Sequence, residues 1–377
     1  MPHPPEEDED HLDEDGLDAS APPKPVFHAE QALLGALLFD PRRLDDLHGI
    51  TADSFSTAAH AALYAAISTL PRPDPAEHAK NTKWLNRVLA TGRQQAPGLT
   101  ASYLHTLIHL CPRHSHAPAY ARMVEAEHAR RRLQTAAERL VHTVHDVSLP
   151  HPVQTVLAEA DALAAVVDDI ANRFPPRAAV LPRTAPPPPA TPDHTQAVEE
   201  EQILLATATT HPRDIEAVRW LLPDDLVLPL HTGLWQCLTA LARRHEPVDP
   251  VTVLWEAQQR RLLDDGRDPG EVLRLLAEPA GSVEHWAERV LQRSLLATVE
   301  RTGRRIAAYA GDRANTPFQL VVGARRALAD IAAVRTRWQH ATAPTPPQRQ
   351  RSTPPTRAGP PTTTPPAHAA RSTQATR

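Results

Sequence analysis

Two stretches, Glu30-Gln31-Ala32-Leu33-Leu34 and Glu201-Gln202-Ile203-Leu204-Leu205, are versions of one pattern that occurs twice in the chain. The offset that aligns Glu30 with Glu201 also aligns Pro41 with Pro212, Phe55 with Leu226, His60 with His231 and Tyr64 with Trp235. Further along the chain the offset is slightly shorter, and Tyr120 and Val124 align with Trp286 and Val290. Acid, amide, aliphatic, proline and aromatic residues that match at a fixed offset are typical of a duplicated unit. The sequence therefore predicts two copies of one fold.

The composition predicts that both copies are helical. Glycine is scarce, at 13 of 377 residues, while alanine, leucine, arginine and glutamate dominate the segments outside the proline-rich stretches. These residue types favour helices over sheets. Leu33, Leu34, Leu37 and Leu38 recur at the spacing of a buried helix face. We predict an all-α protein.

Proline-rich and charged stretches divide the chain. Forty prolines are about twice the usual share, and most of those outside the copies lie between the copies or after Ala343. The predicted parts are a disordered acidic arm at 1–25, a first copy at 26–173, a proline-rich linker at 174–197, a second copy at 198–340 and a disordered tail rich in proline, threonine and arginine at 341–377. Such a linker is long enough to let the copies pair within one chain.

The charge is distributed unevenly. Residues 1–24 hold nine acids against Lys24, and residues 341–377 hold five arginines and no acid. The copies between them are nearly balanced, so strong DNA binding by the helical part is not favoured. The arm is interpreted as solvated, with the masking of a basic site on a partner as the alternative. Arginine clusters such as Arg130–Arg132 are interpreted as solvated helix faces.

One cluster has metal-like residues, namely His105, His109, Cys111, His114 and His116. His105 and His109 lie one helical turn apart, a spacing that suits zinc. The other members fall across a proline-broken loop, and the second copy has no counterpart. A solvated helix end is the favoured interpretation and zinc the alternative. The sequence predicts no metal, cofactor or catalytic residue and, with only Cys111 and Cys237, no disulfide framework.

The sequence lacks a phosphate-binding loop of the Walker type. Such a loop requires Gly-Lys-Ser/Thr, and none of the three lysines, Lys24, Lys80 and Lys83, follows a glycine. No apolar run approaches the roughly 18 residues of a membrane span, and the first residues are acidic, unlike a signal peptide. We expect a cytoplasmic protein that is not an enzyme.

The order of motifs resembles the N-terminal domain of replicative DnaB-type helicases. Each copy has Glu-Gln-x-Leu-Leu, an Asp-Pro or His-Pro step and a helix with His60 or His231; the second copy adds Pro247-Val248-Asp249-Pro250-Val251-Thr252. The first copy departs from this pattern with Pro71-Arg72-Pro73-Asp74-Pro75. The resemblance therefore assigns no partner face to this part of the first copy. The resemblance implies a helical collar domain that pairs with its neighbours and contacts primase, while ATP hydrolysis belongs to a RecA-like domain.

We interpret the chain as a DNA-replication-associated interaction module that binds the replicative helicase or the primase and has no motor of its own. The alternative is the collar subunit of a split helicase whose ATPase is a separate chain. A helical adaptor without a link to replication is a third interpretation. We further expect self-association through the helical domains, weak DNA binding and no membrane contact.

Overall fold

The computed structural model describes residues 24–175, 181–185, 187–188, 195–264 and 266–343. These residues form helices and no β-strand, which confirms the all-α prediction. The first copy contains α1 (Pro25–Phe39), α2 (Ala58–Thr69), α3 (Pro75–His78), α4 (Lys83–Gly92), α5 (Ala101–Leu110), α6 (Ala117–Val144) and α7 (Pro152–Arg173). The second contains α8 (Thr195–Thr210), α9 (Pro229–Arg244), α10 (Pro250–Gln259), α11 (Pro269–Leu275), α12 (Val283–Gly311) and α13 (Pro317–Ala341). The acidic residues of the arm, part of the linker and nearly all of the tail lie outside the described residues.

The repeated Glu-Gln-x-Leu-Leu stretch lies in the central helix of each copy. In α1, nine consecutive residues from Glu30 to Leu38 are buried, and α2, α5 and α6 pack around them. Helix α8 is surrounded in the same way by α9, α11 and α12. A helix that is buried on every side belongs at the centre of a helical domain. The stretch that revealed the duplication is therefore the core of each copy.

Short 3-10 helices follow the two central helices. Pro41–Asp46 and Pro212–Glu216 take this form. The Asp40 side chain does not cap the first of them; it pairs instead with Arg42 at 3.2 Å and Arg43 at 3.4 Å. The Thr57 side chain caps α2, since it accepts from the His60 amide at the start of this helix.

The two copies pack together through their last two helices. Helix α12 packs along α6 and α13, and α7 packs against α6 and α13. One hydrophobic core runs through this four-helix junction and contains Leu133, Leu140, Leu163, Leu295, Ile306 and Ile331. Residues 33–124 of the first copy form a separate core. The prediction that the copies pair within one chain is confirmed by this shared core.

None of the helices in the described ranges is both long enough and apolar enough to cross a bilayer.

Candidate functional site: a paired junction and an exposed helix face

Helices α6 and α12 are closely packed at Gly303. A Cβ at this position would lie 2.7 Å from Val141 Cγ2 and 3.3 Å from the Ala137 carbonyl oxygen, so the contact depends on the missing side chain. Ala137 and Gly303 are counterparts in the two copies, at the offset that aligns Tyr120 with Trp286. The same position of the two copies therefore meets across the junction, as it does in the two-fold interface of a homodimer, but here both copies belong to a single chain.

Arg130 of the first copy binds the end of a helix in the second. Its guanidinium donates to the backbone oxygens of Ala310 at 2.9 Å, Asp312 at 2.7 Å and Asn315 at 2.5 Å. The last carbonyls of a helix lack partners within the helix and carry partial negative charge, so a cation is favoured there. The residue is only 9% exposed. This arginine therefore fastens the C-terminal end of α12 to α6.

The interpretation of Arg130–Arg132 as a solvated face was wrong. Arg130 lies in the junction, Arg131 donates to the carbonyl oxygens of Ser54 and Phe55, and Arg132 pairs with Asp169. Arg131 and Arg132 hold α6 within its own copy. All of these partners are distant along the chain, so local sequence gave no signal of them.

Residues 181–185 of the linker lie against the turn between α12 and α13. The Asn315 amide donates to the Thr184 hydroxyl at 2.7 Å, and the Gln319 amide donates to the carbonyl oxygen of Leu181 at 3.2 Å. A Cβ at Gly323 would lie 2.4 Å from Pro182 Cγ. This part of the linker is therefore packed onto the second copy.

Each copy buries one carboxylate against one imidazole. Glu30 Oε2 lies 2.6 Å from His60 Nδ1, and Glu201 Oε2 lies 2.8 Å from His231 Nδ1. The same carboxylates accept a backbone amide, from Ser56 in the first copy and from Val227 in the second. The matched glutamate and histidine of the repeat therefore join the central helix to the start of the next long helix. All four side chains are almost completely buried, which indicates a structural role.

Helix α10 of the second copy presents an apolar face to solvent. Val251 and Trp255 are 66% and 63% exposed and lie one turn apart, so their side chains share a face. Asp249 caps the helix by accepting the amides of Val251 at 2.8 Å and Thr252 at 3.0 Å. We name the exposed pair Val251 and Trp255 the α10 face.

An ion cluster lies beside the α10 face and fixes the helix. Glu256 accepts from Arg244 at 2.8 Å and from Arg260 at 2.9 Å. The hydrogen bond from Arg244 lowers the pKa of the Glu256 carboxyl, so this residue is a carboxylate at neutral pH. Two arginines on one carboxylate hold the helix in place, and Trp255 projects from a fixed support.

The first copy has no such face. Trp84 on α4 is only 4% exposed, and its indole donates to the Pro71 carbonyl oxygen at 3.1 Å. Helix α3, in the region where the sequence departs from the resemblance, has four residues. The tryptophan in this part of the first copy is therefore buried against the segment Pro71–Pro75 and is not available to a partner.

The metal-like cluster is spread out in the structure. His105, His109 and His116 are exposed, whereas Cys111 is buried and burial raises the pKa of its thiol. The His114 ring stacks on Phe39 with 3.8 Å between ring centroids. Within the described ranges, no group of three or more His, Cys, Asp or Glu side chains is arranged to hold a metal ion.

Two helical copies joined through paired helices define a duplicated all-α protein. The DnaB-like helicase N-terminal domain matches residues 22–126 and 193–292, more than half of the chain, and the protein belongs to this family. Both copies are thus collar-type domains, as their motifs predicted. The matches end inside α6 and α12. The family model therefore does not cover the remainder of these two helices or helices α7 and α13, and their packing is seen in the structure alone.

One curated relative is the replicative DNA helicase DnaC of Bacillus subtilis (strain 168). It is 27% identical over 140 residues, which cover 36% of this chain and 31% of the relative. The chain thus matches about a third of that helicase's length. No solved structure matches the chain. Family and relative together connect the protein to the helicases of DNA replication.

Proposed function

We propose that this protein is a cytoplasmic collar module of DNA replication that binds the replicative helicase or the primase and has no motor of its own. The observation that carries the proposal is the junction between two family domains on one chain. A collar domain of this family is non-catalytic, and its pairing surface is here already filled by the second copy. What is left for another protein is the outer surface of each copy. The proposed domain limits are those of the two predicted copies, 26–173 and 198–340.

The α10 face supports a contact with a protein partner. An exposed tryptophan on a rigid helix is a residue type that often dominates binding energy at interfaces. The two copies have few cations in excess of their anions, so DNA is a weaker candidate for the binding partner than a protein. We propose that the α10 face carries the contact with the helicase or the primase.

Isolation of the tagged full-length chain from its native cytoplasm, followed by mass spectrometry, tests this function. Enrichment of the replicative helicase or the primase supports the proposal. A separate RecA-like ATPase recovered at equal stoichiometry would instead favour the split helicase. Recovery of neither protein class would contradict both replication roles and leave the adaptor.

Replacing Trp255 by alanine is expected to weaken binding to the purified helicase or primase by roughly 30-fold. The reason is the loss of an aromatic anchor, which costs about 2 kcal/mol at a typical hot spot. Because Trp255 is exposed, the thermal unfolding temperature should change little. Titration calorimetry with the full-length chain measures the affinity. Met123→Ala is the matched control, since Met123 is similarly exposed at 55% but lies on the first copy. Equal affinities for Trp255→Ala and wild type would remove the α10 face from the proposal.

A further inference from the structure

A groove of about 1050 Å³ lies on the second copy between the 3-10 helix at Pro212–Glu216 and helix α9. Its apolar lining includes Ile215, Val218 and Trp235, which are buried, and Leu222, which is 45% exposed. This volume is large enough for several side chains of an extended segment. We name it the α9 groove.

The α9 groove is rich in arginine. Four arginines, Arg213, Arg219, Arg243 and Arg260, line it, against the two carboxylates of Glu216 and Glu246. Arg260 is engaged by Glu256. The other three are exposed, and none forms an ion pair with a carboxylate within the part of the chain that the structure describes. Three guanidinium groups are therefore available to an anionic ligand.

The first copy provides an internal comparison, because the corresponding arginines are neutralised there. Arg42 and Arg72 align with Arg213 and Arg243 at the offset of the two central helices. Arg42 pairs with Asp40 at 3.2 Å, and Arg72 pairs with Asp45 at 2.5 Å. The position of Asp40 is taken by His211 in the second copy. Unpaired cations at this place are thus a property of the second copy.

The same chain contains a segment of complementary chemistry. Residues 6–18 hold nine carboxylates, and Leu12 and Leu17 lie among them. We propose that this acidic segment binds the α9 groove of its own chain, with carboxylates on the free arginines and a leucine on the apolar lining. The contact neutralises the free arginines of the groove. It does not depend on helicase or primase binding at the α10 face.

The length of the segment allows this contact. Twenty-three residues precede Lys24, and an extended chain of that length spans up to about 75 Å. A compact unit of roughly 320 residues has a radius of gyration near 20 Å. The acidic residues can therefore reach the second copy although α1 begins in the first.

Carbodiimide cross-linking tests the contact in the full-length chain. This reagent forms amide bonds between neighbouring carboxylates and lysine amines, and the chain has only three lysines. The variant Arg219→Lys with Arg243→Lys keeps the groove charge and adds two amines. We expect cross-linked peptides that join residues 6–18 to positions 219 and 243. The matched control is Arg42→Lys with Arg72→Lys in the first copy, and cross-links to Lys24 serve as the internal reference.

The expected enrichment over the control is about tenfold, the ratio that roughly 1.4 kcal/mol of summed ion-pair free energy produces. It should fall in 0.5 M NaCl, since salt screens exposed charges. Equal cross-linking to both copies, or none to the groove, would overturn the proposal. A mixture of chains labelled with ¹⁴N and ¹⁵N identifies the source of the segment. Cross-links that join the two isotopes at the frequency of random mixing would also overturn it, because the segment would then come from a second copy.

Discussion

Replacing Glu201 by alanine is expected to lower the free energy of unfolding by about 3–5 kcal/mol, the usual cost of breaking a buried ion pair. The carboxylate accepts from the Val227 amide at 2.8 Å, from His231 Nδ1 at 2.8 Å and from Arg293 at 2.6 Å. The truncation leaves the amide and the imidazole buried without an acceptor. Each such loss costs about 1–3 kcal/mol on its own.

Urea unfolding followed by circular dichroism measures this loss. Glu199→Ala is the matched control, because Glu199 is exposed on the same helix and should change the free energy of unfolding by less than about 0.5 kcal/mol. The alanine variant at Glu30 should behave like that at Glu201, since the carboxylate–imidazole pair recurs in the first copy. A Glu201→Ala curve that overlays the wild-type curve would show that the pair does not stabilise the fold.

Replacing Arg130 by alanine is expected to weaken the junction by about 2–4 kcal/mol. Three backbone oxygens lose a charged donor, and a hydrogen bond to a charged group contributes about 1.5–3 kcal/mol. Water that enters the volume vacated by the arginine side chain can hydrogen-bond to these oxygens, which offsets part of the summed hydrogen-bond free energy. Unlike the Glu201 change, this substitution removes contacts between the copies, together with the ion pair of Arg130 with Glu127 at 3.3 Å on the same helix.

Hydrogen exchange followed by mass spectrometry locates the effect of Arg130→Ala. We expect faster exchange at the end of α12 and the start of α13, while α1 keeps its protection, since it lies in the separate core of the first copy. Arg122→Ala on the exposed side of α6 is the matched control. Faster exchange throughout the first copy, with the α12 end unchanged, would contradict the role assigned to Arg130.

The sequence predicted those features that depend on local pattern. A repeat at a fixed offset revealed two copies, and the leucine spacing identified their central helices. The carboxylate–imidazole pairs use the same glutamate and histidine positions that aligned the copies, so the repeat pointed to them although not to their contact.

Features that depend on distant contacts were not predictable from the sequence. Arg130 looks like its neighbours on a charged helix, and its role becomes visible only when the end of α12 is beside it. Trp84 and Trp255 both lie on short helices, yet Trp84 is buried with its indole on the Pro71 carbonyl oxygen and Trp255 is exposed. Whether each tryptophan is exposed was thus set by the surrounding backbone rather than by residue type.

Cross-linking across the junction most directly tests whether both copies pair on one chain. Asp168 of α7 and Arg325 of α13 form an exposed ion pair at 2.8 Å, so cysteines at both positions are within reach of a short bismaleimide. The native thiols should react slowly, since Cys111 and Cys237 are buried and burial raises the pKa of Cys237 to about 11. The single variants Asp168→Cys and Arg325→Cys are the controls. The account predicts a cross-link between α7 and α13 peptides within a monomer. Cross-links found only between chains, or none in the double variant, would contradict it.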